Sequence, residues 1–197
     1  MADTFDESEA IVQVRRACVE RLGGTNRRER QEAAHSLAQM AKNDPALVLP
    51  AADALVDALS CPEALTRWEC LEALSIIATV DAAAVESGFA GAEDSLFDEL
   101  SASTRVAAFR FLSRLGAASP DRSEKVWPIM GEALQCYHGD PEYRDMLACL
   151  KEFATGAISD DVRAALVQRM EFDAKSGRGL TRMYSAEIID IAKGGKK

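Results

Sequence analysis

A chain of 197 residues, 48% hydrophobic and 28% charged, has a globular composition, and its wealth of Ala and Leu with only 6% aromatics favours helix over strand. It contains no run of about eighteen apolar residues, which excludes a transmembrane helix, and the acidic start from Met1 to Glu9 lacks the apolar core of a secretory signal, so a cytoplasmic location is expected. The net charge of −9 disfavours nucleic acid, whose phosphates require Lys and Arg, and favours basic partners or simple solubility.

The apolar residues Ile11, Val12, Val14, Cys18, Val19 and Leu22 predict a first helix over 8–22, ended by Gly23 and Gly24. Thr25 or Asn26 is placed to cap a second helix over 27–42, in which Ala33, Ala34, Leu37, Met40 and Ala41 recur at helical spacing. Asn43–Asp44–Pro45 stops it. A partner helix over 46–60 follows, with Pro50 in its first turn, where a missing N–H costs little. The next helix, 63–79, turns Leu71, Leu74, Ile77 and Ala78 inward. Its partner reads as broken: a short helix over 81–86, an interruption at Gly88–Gly91, then a main segment 92–100 burying Leu96, Phe97 and Leu100. Helices over 104–116 and 122–137 form a third pair, 142–155 and 159–173 a fourth, and 181–193 a closing half unit after a loop over 175–179.

The text repeats. Arg30, Arg67, Arg105 and Arg182 are spaced by 37, 38 and 77 residues, and each of the first three opens a similar stretch: Arg30 leads to Leu37 and Ala41, Arg67 to Leu74 and Ala78, Arg105 to Leu112 and Gly116. Pro50 and Pro128 lie 78 residues apart, again two periods. In the fourth unit, aligning Leu147, Leu150 and Phe153 with Phe109, Leu112 and Leu115 sets Tyr143 opposite Arg105, with Arg144 one place out of register. A period in the high thirties with helical spacing inside each copy predicts a solenoid. These units, with an early Arg in the first helix and a Pro near the start of the second, resemble HEAT repeats and the wider armadillo-like family over 26–193. The resemblance implies a right-handed, all-α solenoid of about 4–5 HEAT-like helix pairs in one domain. Its parts would be a capping helix (1–25), repeats 26–62, 63–102, 103–140 and 141–179, a half repeat 180–193 and a flexible tail 194–197. It also implies a scaffold that binds proteins along a concave face lined by second helices. Arginines recurring in every unit are then explained by stacking, bracing one repeat against the next, rather than by one ligand site.

Chemistry is sparse. Five cysteines show no metal spacing and no CxxC, and read as small buried hydrophobes. His35 reads as a packed, hydrogen-bonded core histidine. Cys136, His138, Asp140 and Glu142 gather donors in one turn, but their spacing matches no metal site. Neither a phosphate loop nor a nucleophile elbow occurs, so no catalytic residue, metal or cofactor is expected. Trp68 reads as packing rather than as part of a base pocket. The functional lead is charge. Between Asp44 and Ser101 there are twelve acidic residues against one basic residue, Arg67, while the rest of the chain sums to +2. Asp53, Asp57, Glu93, Asp94, Asp98 and Glu99 would fall on second helices and could focus a negative potential on a basic or mixed partner; a solvated polar face with no ligand fits the same pattern. A HEAT-type enzyme resembling bilin lyases or DNA glycosylases is the alternative in a different class. A structural module, monomeric or a homodimer through the first helix or the last repeat, is a third.

Overall fold

The computed structural model describes residues 3–194, with side chains from Glu9 onward, and every regular element among them is a helix. Two compact units, Met1–Phe111 and Leu112–Lys197, are described in turn.

In the first unit, α1 (Asp3–Leu22) begins five residues earlier than its apolar pattern predicts. Its Arg15 side chain donates to the carbonyl of Leu47 at 2.8 Å. Asn26 caps α2 (Arg27–Asn43), accepting from the amides of Arg28 and Glu29, and so satisfies donors that a helix start leaves orphaned. Leu37 is fully buried, as are Leu71, Leu74 and Ile77 of α5 (Ala64–Ile77). Each such side chain contributes about 1.5–3 kcal/mol of transfer free energy.

The helix expected over 46–60 is not continuous. It divides into α3 (Pro45–Val48), a tight 3₁₀ turn at Leu49–Ala51, α4 (Ala52–Asp57) and a second 3₁₀ turn at Ala58–Ser60. Pro50 brings no N–H and its ring crowds the preceding turn, so the backbone tightens around it instead of continuing.

The expected break at Gly88–Gly91 is also corrected. A 3₁₀ segment at Ala83–Gly88 passes directly into α6 (Phe89–Leu96), so these glycines lie where the helix begins. They serve close packing. A Cβ on Gly91 would sit 2.7 Å from the Cβ of Leu59, and one on Gly88 would lie 3.3 Å from both Val56 and Phe111. Beyond Leu96 the chain leaves the helix, and Asp98 turns its carboxylate back onto the amides of Leu100 and Ser101. Leu100, expected in the core, is therefore 97% exposed. α7 (Ala102–Ala117) follows and contains Phe111.

In the second unit, Ser119 caps α8 (Pro120–Cys136) and Ser159 caps α10 (Asp160–Ser176). Between them runs α9 (Tyr143–Thr155), and α11 (Gly179–Ala192) follows after only Gly177 and Arg178, so the expected loop over 175–179 is shorter than the sequence suggests. Gly156 permits a close crossing: its Cβ would lie 2.6 Å from the carbonyl of Ala117, and Ala157 N–H donates to that same carbonyl at 2.8 Å. Phe153, Met146, Leu150, Leu166 and Met170 fill the core. Of the expected tail, residues 195–197 lie outside the described residues.

Candidate functional site

Two ladders of polar contacts sort the charges. The first runs through the repeated arginines. Arg30 donates to the carbonyl of Gly24 at 2.9 Å and pairs with Glu63. Arg67 donates to the carbonyls of Cys61 and Pro62 and pairs with Asp98. Arg105 donates to the carbonyl of Asp98 at 2.7 Å. In the second unit Tyr143 takes the corresponding role, its hydroxyl donating to Asp173 at 2.6 Å. Arg182 differs from the other three: it is exposed, and its side chain makes no hydrogen bond or ion pair among the described residues.

The second ladder joins neighbouring first helices. His35 meets Glu69 at 2.8 Å and Arg110 pairs with Glu72. In the second unit Arg114 pairs with Glu152 at 3.0 Å and Lys151 with Glu187 at 2.8 Å. His35 is thus an exposed histidine bonded to a buried carboxylate rather than a core residue, because the chain's apolar rows pass on either side of it.

These ladders divide the twelve carboxylates between Asp44 and Ser101. Glu63, Glu69, Glu72 and Asp98 are taken by cationic or histidine partners, while Asp44 and Asp81 accept from the amides of Ala46 and Ala84. Glu86 has an interaction of its own. The carboxylates of Asp53, Asp57, Glu93, Asp94 and Glu99 have no partner among the described residues. Asp53 and Asp57 stand on α4, Glu93 and Asp94 on α6, and Glu99 in the loop after it. Of the six candidate residues, Asp98 is the exception. One of its oxygens holds Arg67 and the other caps the turn before α7, so it belongs to the framework.

The pairing has electrostatic consequences. The hydrogen bond from Arg30 holds the Glu63 carboxyl below its ordinary value of 4.5. Burial, reinforced by the hydrogen bond to Asp173, pushes the Tyr143 phenol well up, so it stays a donor at neutral pH. Burial likewise pushes up the thiols of Cys18, Cys61 and above all Cys70. Cys136 departs from the expected pattern by being exposed.

The turn containing Cys136, His138, Asp140 and Glu142 does not assemble a ligand set. His138 turns to Asp173, with Nε2 2.9 Å from Oδ1, and its ring meets Tyr143 edge-on at 4.9 Å. No group of three or more His, Cys, Asp or Glu side chains is placed to hold a metal ion among the described residues, and no described helix is long and apolar enough to cross a membrane.

One feature of the second unit was not legible as a site. α8 and α10 flank an open groove of about 1070 Å³ lined by Trp127, Pro128, Gly131 and Glu132 on one side and by Ala165, Arg169 and Phe172 on the other. Trp127 lies parallel to Phe153 with ring centres 6.1 Å apart, and Phe172 is 65% exposed. The spacing 127, 131, 135 on α8 and 165, 168, 172 on α10 marks one face of each helix, but only tertiary packing reveals that the two faces adjoin.

No protein-family model and no curated protein sequence matches the chain. Solved structures do match. An engineered protein superposes with a TM-score of 0.75 at 18% identity, covering 95% of this chain and 83% of its own. A designed armadillo repeat protein in complex with the peptide (KR)4 gives 0.74 at 12% identity, over 97% of this chain and 92% of that one. A second designed armadillo repeat protein gives 0.61 at 13% identity, over 89% and 98%. The fold is therefore an all-α, armadillo- or HEAT-like helical repeat.

Proposed function

We propose that this chain is a non-catalytic interaction scaffold that binds a basic or mixed segment of another protein along the carboxylates of α4 and α6. The observation that carries the reading is the sorting of charge. Carboxylates between first helices are consumed by internal partners, whereas Asp53, Asp57, Glu93, Asp94 and Glu99 stay unpaired on or just after second helices. Unpaired like charges on neighbouring elements repel one another, and a cationic ligand relieves that repulsion while being steered toward it. A structural neighbour that holds a Lys–Arg peptide on the same fold supports the assignment. In this reading Arg30, Arg67 and Arg105 brace consecutive repeats and contact no ligand.

Fluorescence anisotropy with labelled (KR)4 tests the proposal. The unaltered chain is expected to bind, with affinity falling steeply as salt rises. Asp53→Lys combined with Asp57→Lys and Asp94→Lys should weaken binding at least tenfold at unchanged helicity. Undiminished binding by that triple variant rejects the acidic surface.

A further inference from the structure

The positive charges of the second unit sort as clearly as the carboxylates of the first. Arg114 pairs with Glu152, Arg163 donates to the carbonyls of Ala154 and Gly156, and Arg169 donates to that of Leu134. Arg122 has an interaction of its own. The side chains of Arg144, Arg178 and Arg182 have no partner among the described residues. Arg144 lies in the first turn of α9, and the other two flank the start of α11. The first turn of a helix favours negative charge, yet α11 carries no acidic residue there.

Arg144 and Arg178 line one cavity of about 530 Å³, formed by the turn over 138–141, the start of α9 and the link from α10 to α11. The hydroxyls of Ser176 and Thr181 line it too, and they also lack partners among the described residues. Two carboxylates belong to the lining, and neither cancels the arginines. Asp173 is 1% exposed, its oxygens are taken by Tyr143 and His138, and the Arg169 guanidinium lies beside Tyr143 as a counter-charge. Asp140 is unpartnered, one charge against two.

We infer that this cavity binds the phosphate group of a small phosphate monoester whose body lies against Phe172. Two guanidinium forks and two hydroxyls offer more donors than the two oxygens of a carboxylate can accept, and the three oxygens of a phosphate match them better. A phosphate monoester near neutrality carries about −1.5 to −2 charges, which Arg144 and Arg178 together balance. Phe172 lines the same cavity and is 65% exposed, so it offers an apolar face to the rest of the molecule. The site draws on no residue of α4 or α6 and takes the opposite charge, so it stands independently of the acidic surface.

Calorimetric titration of the full chain with inorganic phosphate, phenyl phosphate and acetate tests the site. Phenyl phosphate should bind more tightly than inorganic phosphate, and acetate more weakly than either. Arg144→Gln combined with Arg178→Gln, at two exposed and unpartnered positions, should weaken phenyl phosphate by about tenfold or more at unchanged helicity. Asp140→Asn should act in the opposite direction and tighten it by about threefold. Phe172→Ser should bring phenyl phosphate down to the affinity of inorganic phosphate. No binding of either phosphate, binding that survives the double arginine variant, or weaker binding by Asp140→Asn overturns the site. Acetate binding as tightly as phosphate overturns the choice of ligand, and equal affinity for the two phosphates overturns the part given to Phe172.

Discussion

Tyr143 donates its hydroxyl to Asp173 at 2.6 Å across 30 residues of sequence, the same kind of forward reach by which Arg67 meets Asp98 across 31 and Arg30 meets Glu63 across 33. The contact at Tyr143 therefore keeps the same forward reach with a different chemistry. A phenol replaces the guanidinium, and the carboxylate it holds is 1% exposed, with His138 on its other oxygen. A buried carboxylate that loses a donor bears a desolvation cost it cannot recover. Tyr143→Phe is expected to destabilise the chain by about 1–3 kcal/mol in urea unfolding. A loss below about 0.5 kcal/mol would show the contact to be dispensable.

The pair formed by Arg30 and Glu63 should leave a signature in pH. The folded-state pKa of Glu63 lies below 4.5, so its stabilisation is complete above that value and fades as pH falls through the lower folded pKa. Melting temperatures of the parent chain and of Glu63→Gln are expected to differ most near neutrality and to converge under acid. A gap that widens as pH falls would contradict the pairing.

Two glycines should respond in opposite directions to alanine. Gly131→Ala adds a methyl group to open space and is expected to raise stability by about 0.5–1 kcal/mol through helix propensity alone. Gly116→Ala would place a Cβ 2.4 Å from a methyl carbon of Val126 and 2.9 Å from the Phe153 ring, and should cost about 1–3 kcal/mol by overpacking. Calorimetry on both variants checks the sign of each.

The six acidic candidates should divide under charge reversal. Asp53→Lys and Asp94→Lys replace exposed, unpartnered side chains and are expected to change stability by no more than about 0.5 kcal/mol. Asp98→Lys removes both the partner of Arg67 and the cap before α7, and should lower the melting temperature markedly. Equal tolerance at Asp98 and Asp53 would remove the distinction between framework and surface.

Thiol titration with a disulfide reagent offers an independent check on burial. Cys136 should react rapidly in the native chain, whereas Cys70, fully buried and with its thiol pKa pushed up, should react only upon unfolding. Rapid native labelling of Cys70 would place it outside the core.

The helix pairs were readable because the apolar residues of Arg27–Asn43, Ala64–Ile77 and Tyr143–Thr155 follow a helical period that any burial of those segments must obey. Even the register slip at Tyr143 was visible as an alignment, though not the hydrogen bond it makes. The misreadings share one cause. Gly88 and Gly91 look like helix breakers by propensity, yet they sit where α6 begins, with Leu59 too close to Gly91 for a side chain and Val56 packed tightly against Gly88. Leu100 looks like core by its hydropathy, yet Asp98 closes the helix before it. Local sequence determined the period, the cap at Asn26, and the run of carboxylates with a single arginine among them. Only the tertiary structure decided which of those carboxylates are spent on partners more than thirty residues away and which stay open to a ligand, because pairing depends on the packing of successive helices and not on any residue's own chemistry.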